Sequence, residues 1–97
     1  MNDKDLANAL VGHGIGNHTE HGYFPDMDII GFMDAATFVR DARVAMACEK
    51  RSGKIFCEKL NDRIWAVRID AQTKTRNWHE DESLERAICM AYVEAMT

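Results

Sequence analysis

Apolar positions recur along this chain with two different periods, and each change of period predicts an element boundary. Leu6, Ala7, Leu10 and Val11 fall at helical spacing behind Asn2 and Asp3, which suit an N-cap, so the chain is expected to open with a short helix ended by Gly12. Residues 12–33 keep neither period, are rich in glycine and hold the only proline. They predict a long irregular loop, strand-like over 28–32, of the kind that is often functional. Asp34 then caps a helix whose stripe runs through Ala35, Phe38, Val39, Ala42, Ala45, Met46 and Glu49. Arg40, Asp41, Arg43 and Lys50 lie on the other side, and Arg51-Ser52-Gly53 is the stop. Residues 54–60 and 63–70 have strand length and flank Asn61-Asp62, which predicts a hairpin with a two-residue turn. In the second run Trp65, Val67 and Ile69 point one way, while Ile64, Ala66 and Arg68 point the other. Residues 71–82 are polar and read as loop, with Thr73 and Thr75 able to extend an edge strand. Ser83 caps the last helix, whose stripe of Leu84, Ala87, Ile88, Ala91, Tyr92 and Ala95 is the strongest in the protein.

The order helix, loop, helix, hairpin, helix predicts one α+β domain over 1–97, a small antiparallel sheet with helices packed against it. Composition keeps the chain in the globular range, with 97 residues, 46% hydrophobic and 29% charged. So short a chain buries a modest share of its surface, and self-association as a homodimer would supplement its stability. The net charge is −4, concentrated at the start: Asp3, Asp5, Glu20, Asp26, Asp28 and Asp34 against Lys4 alone within the first 34 residues. That balance argues against direct nucleic-acid binding, which needs clustered Lys and Arg. Cys48, Cys57 and Cys89 sit in apolar patterns without CxxC spacing, and no signal peptide precedes them. They are expected to be reduced core residues of a cytoplasmic protein. No apolar run is long enough to span a bilayer, so no membrane association is expected.

The helix start Leu6-Ala7-Asn8-Ala9-Leu10-Val11, the loop with Pro25 and the Asp34-Ala35-Ala36-Thr37-Phe38-Val39 helix start form one part of a wider pattern. The hairpin centred on Trp65 and the closing Ser83-Leu84-Glu85-Arg86-Ala87-Ile88-Cys89 helix complete it, over nearly the whole chain. This pattern resembles the phage ABA sandwich domain, a family of small phage and prophage proteins mostly without assigned activity. The resemblance implies an α/β/α sandwich, a phage origin and a role as an accessory protein acting on the host cell. It brings no catalytic residues.

Four groups of side chains are candidates for function. His13, His18 and His21, with Glu20 and Asp26 nearby, have the donor types for zinc or a similar ion, though H-x4-H-x2-H matches no metal motif; solvated loop histidines are the simpler reading, and no metal or cofactor is expected. Gly12-His13-Gly14-Ile15-Gly16 follows a helix, where a phosphate loop follows a strand, so it reads as a helix stop. Trp78, with Glu80, Asp81 and Glu82, precedes the last helix; together with Asp26 and Asp28 these form a candidate partner-binding surface. Arg40, Arg43, Arg68 and Arg76 are candidates for an anion pocket, formed if two protomers meet, because guanidinium forks suit phosphate. Ser52 and Ser83 lack a nucleophile context, and an enzyme is not expected.

Small size, an acidic start, the missing catalytic motifs and the resemblance together lead to an expectation of function. The chain would be a non-enzymatic phage or prophage protein, acting in the host cytoplasm, that antagonises a host defence by binding. One mode is an acidic surface that imitates nucleic acid and blocks a defence protein such as a CRISPR effector; the other is capture of a nucleotide signal. The alternatives are a structural or regulatory phage protein that only oligomerises or docks, and a metal-binding protein using the loop histidines.

Overall fold

A computed structural model describes residues 1–25, 31–71 and 76–97. The expected α+β class is present: four helices and two small antiparallel sheets among the described residues. Helix α1 spans Asp3–Gly12, and Asn2 caps it by accepting the Asp5 N–H at 2.8 Å. The caps at Asp34 and Ser83 are also as the sequence predicts, the first accepting from Thr37 N–H and the second from Arg86 N–H. Each such cap contributes about 1 kcal/mol by satisfying a backbone donor that a helix start leaves open. The Asp34 hydrogen bonds, from Thr37 N–H first, hold its carboxyl below the usual range.

The first correction lies within 12–33. Instead of an irregular loop throughout, Asn17–Thr19 (β1) pairs antiparallel with Gly22–Phe24 (β2), and Tyr23 bridges on to Met33 through two backbone hydrogen bonds of 2.9 Å. The strands are three residues each, too short for a period to show in the sequence. The strand expected at 28–32 falls largely on residues outside those described, as do Asp26 and Asp28. Gly16 makes the entry to β1 possible. Its φ is +72°, and a Cβ there would sit 2.5 Å from the Phe24 carbonyl oxygen and 2.7 Å from the Phe38 ring.

A second correction concerns the helix expected over 35–49, which is two helices: Ala35–Phe38 (α2) and Ala42–Arg51 (α3). Asp41 breaks it. Its backbone is extended, at φ −78° and ψ 131°, and its carboxylate accepts the Arg43 N–H at 2.8 Å to start α3 afresh. The break changes the phase of the buried stripe. Phe38 and Val39 are fully buried, but the inward residues of α3 are Val44, Ala45 and Cys48, and Met46 is 54% exposed.

Strands β3 (Lys54–Lys59) and β4 (Trp65–Asp70) form the expected hairpin, with Lys59 opposite Trp65 and Lys54 opposite Asp70. Its connection is longer than two residues. Leu60 N–H still donates to the Ile64 carbonyl, and Asn61 Oδ1 accepts from the N–H groups of Arg63 and Ile64, so the side chain of Asn61 organises a three-residue loop. A third strand, β5 (His79–Asp81), lies in the segment expected to be loop and pairs antiparallel with the other side of β4, giving the order β3-β4-β5. Thr73 and Thr75, the residues expected to extend an edge, lie outside those described.

Helix α4 (Leu84–Ala95) packs over β4 and β5 on the side of Val67 and Ile69, and α3 and α1 pack against α4. The core runs through all of these, with Leu6, Leu10, Ile15, Phe38, Val44, Val67, Ile69 and Tyr92 at or near zero exposure. Cys48 and Cys89 meet inside it as free thiols, and the contact with Cys48, together with burial, pushes the Cys89 thiol far up. Cys57 departs from the expected core placement: it is exposed on β3. No helix among the described residues is long and apolar enough to cross a membrane.

Candidate interaction face

Alternation along β4 divides the three-stranded sheet into two unlike faces. Val67 and Ile69 turn toward α4, and Ala66, Arg68 and Asp70 turn away from it. The register places Glu58, Phe56 and Lys54 opposite those three on one side and Glu80 opposite Ala66 on the other. Carried one step further, the β4–β5 register brings Trp78 alongside Arg68. The outward face therefore carries a row of three side chains running across the strands. The Arg68 guanidinium lies 4.6 Å from the Phe56 ring centroid and 5.1 Å from that of Trp78. Phe56 is 38% exposed and Trp78 43% exposed. Among the described residues the sheet has helical cover on one side, where a full sandwich has two.

The row is stiff. Arg68 Nε sits 3.1 Å from Asp70 Oδ1 without aiming its N–H at the oxygen, and Asp70 Oδ1 also accepts the Arg76 N–H at 3.0 Å. Two aromatic faces against one guanidinium gain cation–π attraction on both sides and hold three flat groups in one orientation. Lys54 and Arg68 are matched on this face by Glu58, Asp70 and Glu80, so its charge is mixed.

The acids expected beside Trp78 are split by the structure. Glu80 faces outward on the open side. Asp81 faces the other way, into an ion cluster around Arg86: Nε donates to Asp3 Oδ1, Nη1 to Asp81 Oδ2 and Nη2 to the Met1 carbonyl, each at 2.7 Å. The Arg86 side chain is only 11% exposed. Its hydrogen bond, reinforced by Arg40, holds the Asp3 carboxyl below the usual range against an opposing contribution from burial. Glu82 pairs with Arg63 at 3.2 Å on the surface. Of the three acids beside Trp78, Asp81 and Glu82 are thus paired within the chain.

The four arginines of the expected anion pocket do not share one site. Arg40 Nη1 bonds Asp3 at 3.1 Å and the Ala36 carbonyl at 2.7 Å, and Arg43 makes two bonds to Asp41. At Asp70 on the sheet, the Arg68 side chain and the backbone N–H of Arg76 meet instead.

The histidines are also dispersed. His13 caps α1 and offers its carbonyl to Arg51, His18 stacks on Tyr23 with ring centroids 4.1 Å apart, and His21 lies 3.5 Å from Glu20 in the β1–β2 turn. No group of three His, Cys, Asp or Glu among the described residues is placed to hold a metal. His18 and His21 line an open cleft with Lys4, Tyr23, Phe32 and Met33, of about 620 Å³. Sequence reading selected Trp78 and Arg68 separately and missed Phe56, because only the strand register brings the three together. The alternation of Lys54, Phe56 and Glu58 on one side of a strand was the available signal.

The fold and this face define a small α+β domain with a partly uncovered, aromatic-bearing sheet. No family model matches the chain, and neither a curated protein nor a solved structure is similar to it at a significant level.

Proposed function

We propose that this chain acts by binding a protein partner through the open sheet face, with no chemistry of its own. The observation that carries this reading is the Phe56–Arg68–Trp78 row, with both aromatic ends exposed around a half-buried guanidinium and charges of both signs about it. Tryptophan, arginine and aromatic side chains dominate binding energy at protein interfaces, and rigidity lowers the ordering cost of association. Mixed charge suits a protein surface better than a polyphosphate, which calls for a cationic excess. The resemblance to the phage ABA sandwich domain supplies the setting. In it the chain is a phage or prophage accessory protein that blocks a host defence protein in the host cytoplasm, with Trp78 and Glu80 in the contact. Asp81 acts from behind the face by fixing the end of β5.

The test is plaque formation by a restricted phage on cells that carry a defence system and express the chain. Phe56→Ala and Trp78→Ala are expected to abolish protection while expression and melting temperature hold, each weakening the contact by about 30-fold or more as an interface hot spot does. Full protection by the double variant would remove the face from the function. Failure of the unaltered chain against a panel of CRISPR and nucleotide-signalling defences would remove the setting.

A further inference from the structure

Among the described residues strand β3 is an edge: it pairs there with β4 alone, and five of its six residues are exposed. Which of its backbone groups remain open follows from the ladder. Leu60 donates its N–H to Ile64 across the β3–β4 pair, so by alternation Glu58, Phe56 and Lys54 direct their backbone groups toward β4. Ile55, Cys57 and Lys59 therefore direct theirs outward, where no other strand among the described residues pairs with them. We propose that two copies of this chain pair antiparallel along β3, in the single register that places Phe56 opposite Phe56 of the second copy.

The sequence of β3 selects that register. Outward-facing backbone must meet outward-facing backbone, which restricts the shifts to steps of two residues. With Phe56 on the two-fold axis, Ile55 and Cys57 exchange both hydrogen bonds with Cys57 and Ile55 of the other copy. Lys54 faces Glu58, Glu58 faces Lys54, and Lys59 faces Gly53, so both cross-strand charge pairs are opposite in sign. Moving one step in one direction sets Phe56 against Glu58 and Ile55 against Lys59; moving one step in the other sets Lys54 against Phe56. Neither of these retains a charge pair, and the next shift beyond Phe56–Glu58 opposes Glu58 to Glu58. Exposed lysines normally protect an edge strand from pairing, and here one of the two is matched by an acid.

The consequence is geometric. Phe56 opposite Phe56 is a non-hydrogen-bonded pair, the kind with the closer side chains. The two open faces join into one six-stranded surface, with Trp78, Arg68 and Phe56 of one copy continuing into Phe56, Arg68 and Trp78 of the other. At the usual strand spacing that row is about 24 Å long. The pairing stands on the edge strand and does not depend on what the face binds.

Sedimentation equilibrium of the full chain tests it, with 11.0 kDa as the monomer mass. The unaltered chain is expected to form a dimer. Lys54→Glu and Glu58→Lys alone each set like charges opposite at two places and should weaken the dimer by roughly tenfold or more, while the two together should return it to within about threefold of the original. Both residues are exposed, so circular dichroism should show unchanged folding. In a Cys57→Ser background, Phe56→Cys should cross-link on mild oxidation because facing Cα atoms in such a pair lie within disulfide reach. Native Cys57, lying diagonal to its copy, should not. A monomer up to about 1 mM, a double variant no tighter than the singles, or cross-linking through native Cys57 in place of position 56 would each overturn the pairing.

Discussion

Replacing Arg86 by alanine removes three charge-assisted hydrogen bonds that join residues 83 and 85 positions apart to one another and to the end of β5. Taken singly, hydrogen bonds to charged groups contribute about 1.5–3 kcal/mol, but the three do not add in full. Asp3 keeps Arg40, Asp81 keeps the Ser83 N–H, and both carboxylates are open enough to recover water, at 29% and 18% exposure. A net loss of about 3 kcal/mol follows, near the lower end for a broken, largely desolvated ion pair. In a domain of this size that lowers the melting temperature by roughly 12–20 °C, measured by circular dichroism at pH 7. The pH dependence has a definite sign. Asp3 is held below its ordinary value in the folded chain, so its contribution is present above the unfolded carboxylate value near pH 3.9. That contribution is lost as the pH falls through the lower folded value. The gap between Arg86→Ala and the unaltered protein should therefore narrow as the pH drops below about 4. Arg86→Lys should recover only part of the loss, since an ammonium cannot present a planar fork to three acceptors. A gap under about 0.5 kcal/mol at pH 7, or full recovery by lysine, would refute the reasoning.

Three further outcomes are expected. Gly16→Ala should destabilise the fold by about 2–3 kcal/mol in urea unfolding, since it strains a φ of +72° and drives a methyl into the Phe24 carbonyl and the Phe38 ring; a change below about 0.5 kcal/mol would contradict the geometry. Asp41→Ala should cost about 1 kcal/mol through loss of the α3 cap, with Asp41→Asn retaining most of it, checked by thermal melting. A disulfide reagent should react with one thiol in the native protein and three after denaturation, and Cys57→Ser should abolish the native reaction. Burial and Glu49 push the Cys57 thiol up, so that reaction should be slower at pH 8 than for a thiol in an unfolded peptide.

Where local pattern is long enough, the chain reads directly. Helices α1 and α4 are about three turns each with apolar stripes and side-chain caps, and the expected positions agree with the structure to within a residue or two. The β3–β4 hairpin is legible for the same reason, through period-two alternation over six residues. The break at Asp41 was legible only in part. Aspartate is a cap former, yet the apolar spacing from Ala35 to Glu49 continues across it, and only the burial of Val44 and Cys48 against α4 reveals which phase prevails. Strands β1, β2 and β5 are three residues each and exist because neighbours accept their backbone groups, a condition no short run of residues encodes.

The candidate face divides in the same way. Sequence alone determined that the chain has an α+β makeup, that Trp78 precedes the last helix beside acids and that Arg68 lies on the less apolar side of a strand. Tertiary structure decided that these two meet Phe56 in one row and that Asp81 is occupied by Arg86. It also decided that, among the described residues, the helix packed on the sheet, α4, lies on the opposite side. The physical reason is range. Caps, turns and periodicity are interactions among residues a few positions apart, whereas the register of a strand and the partner of a charge are fixed by segments that approach only after the core has closed around α4.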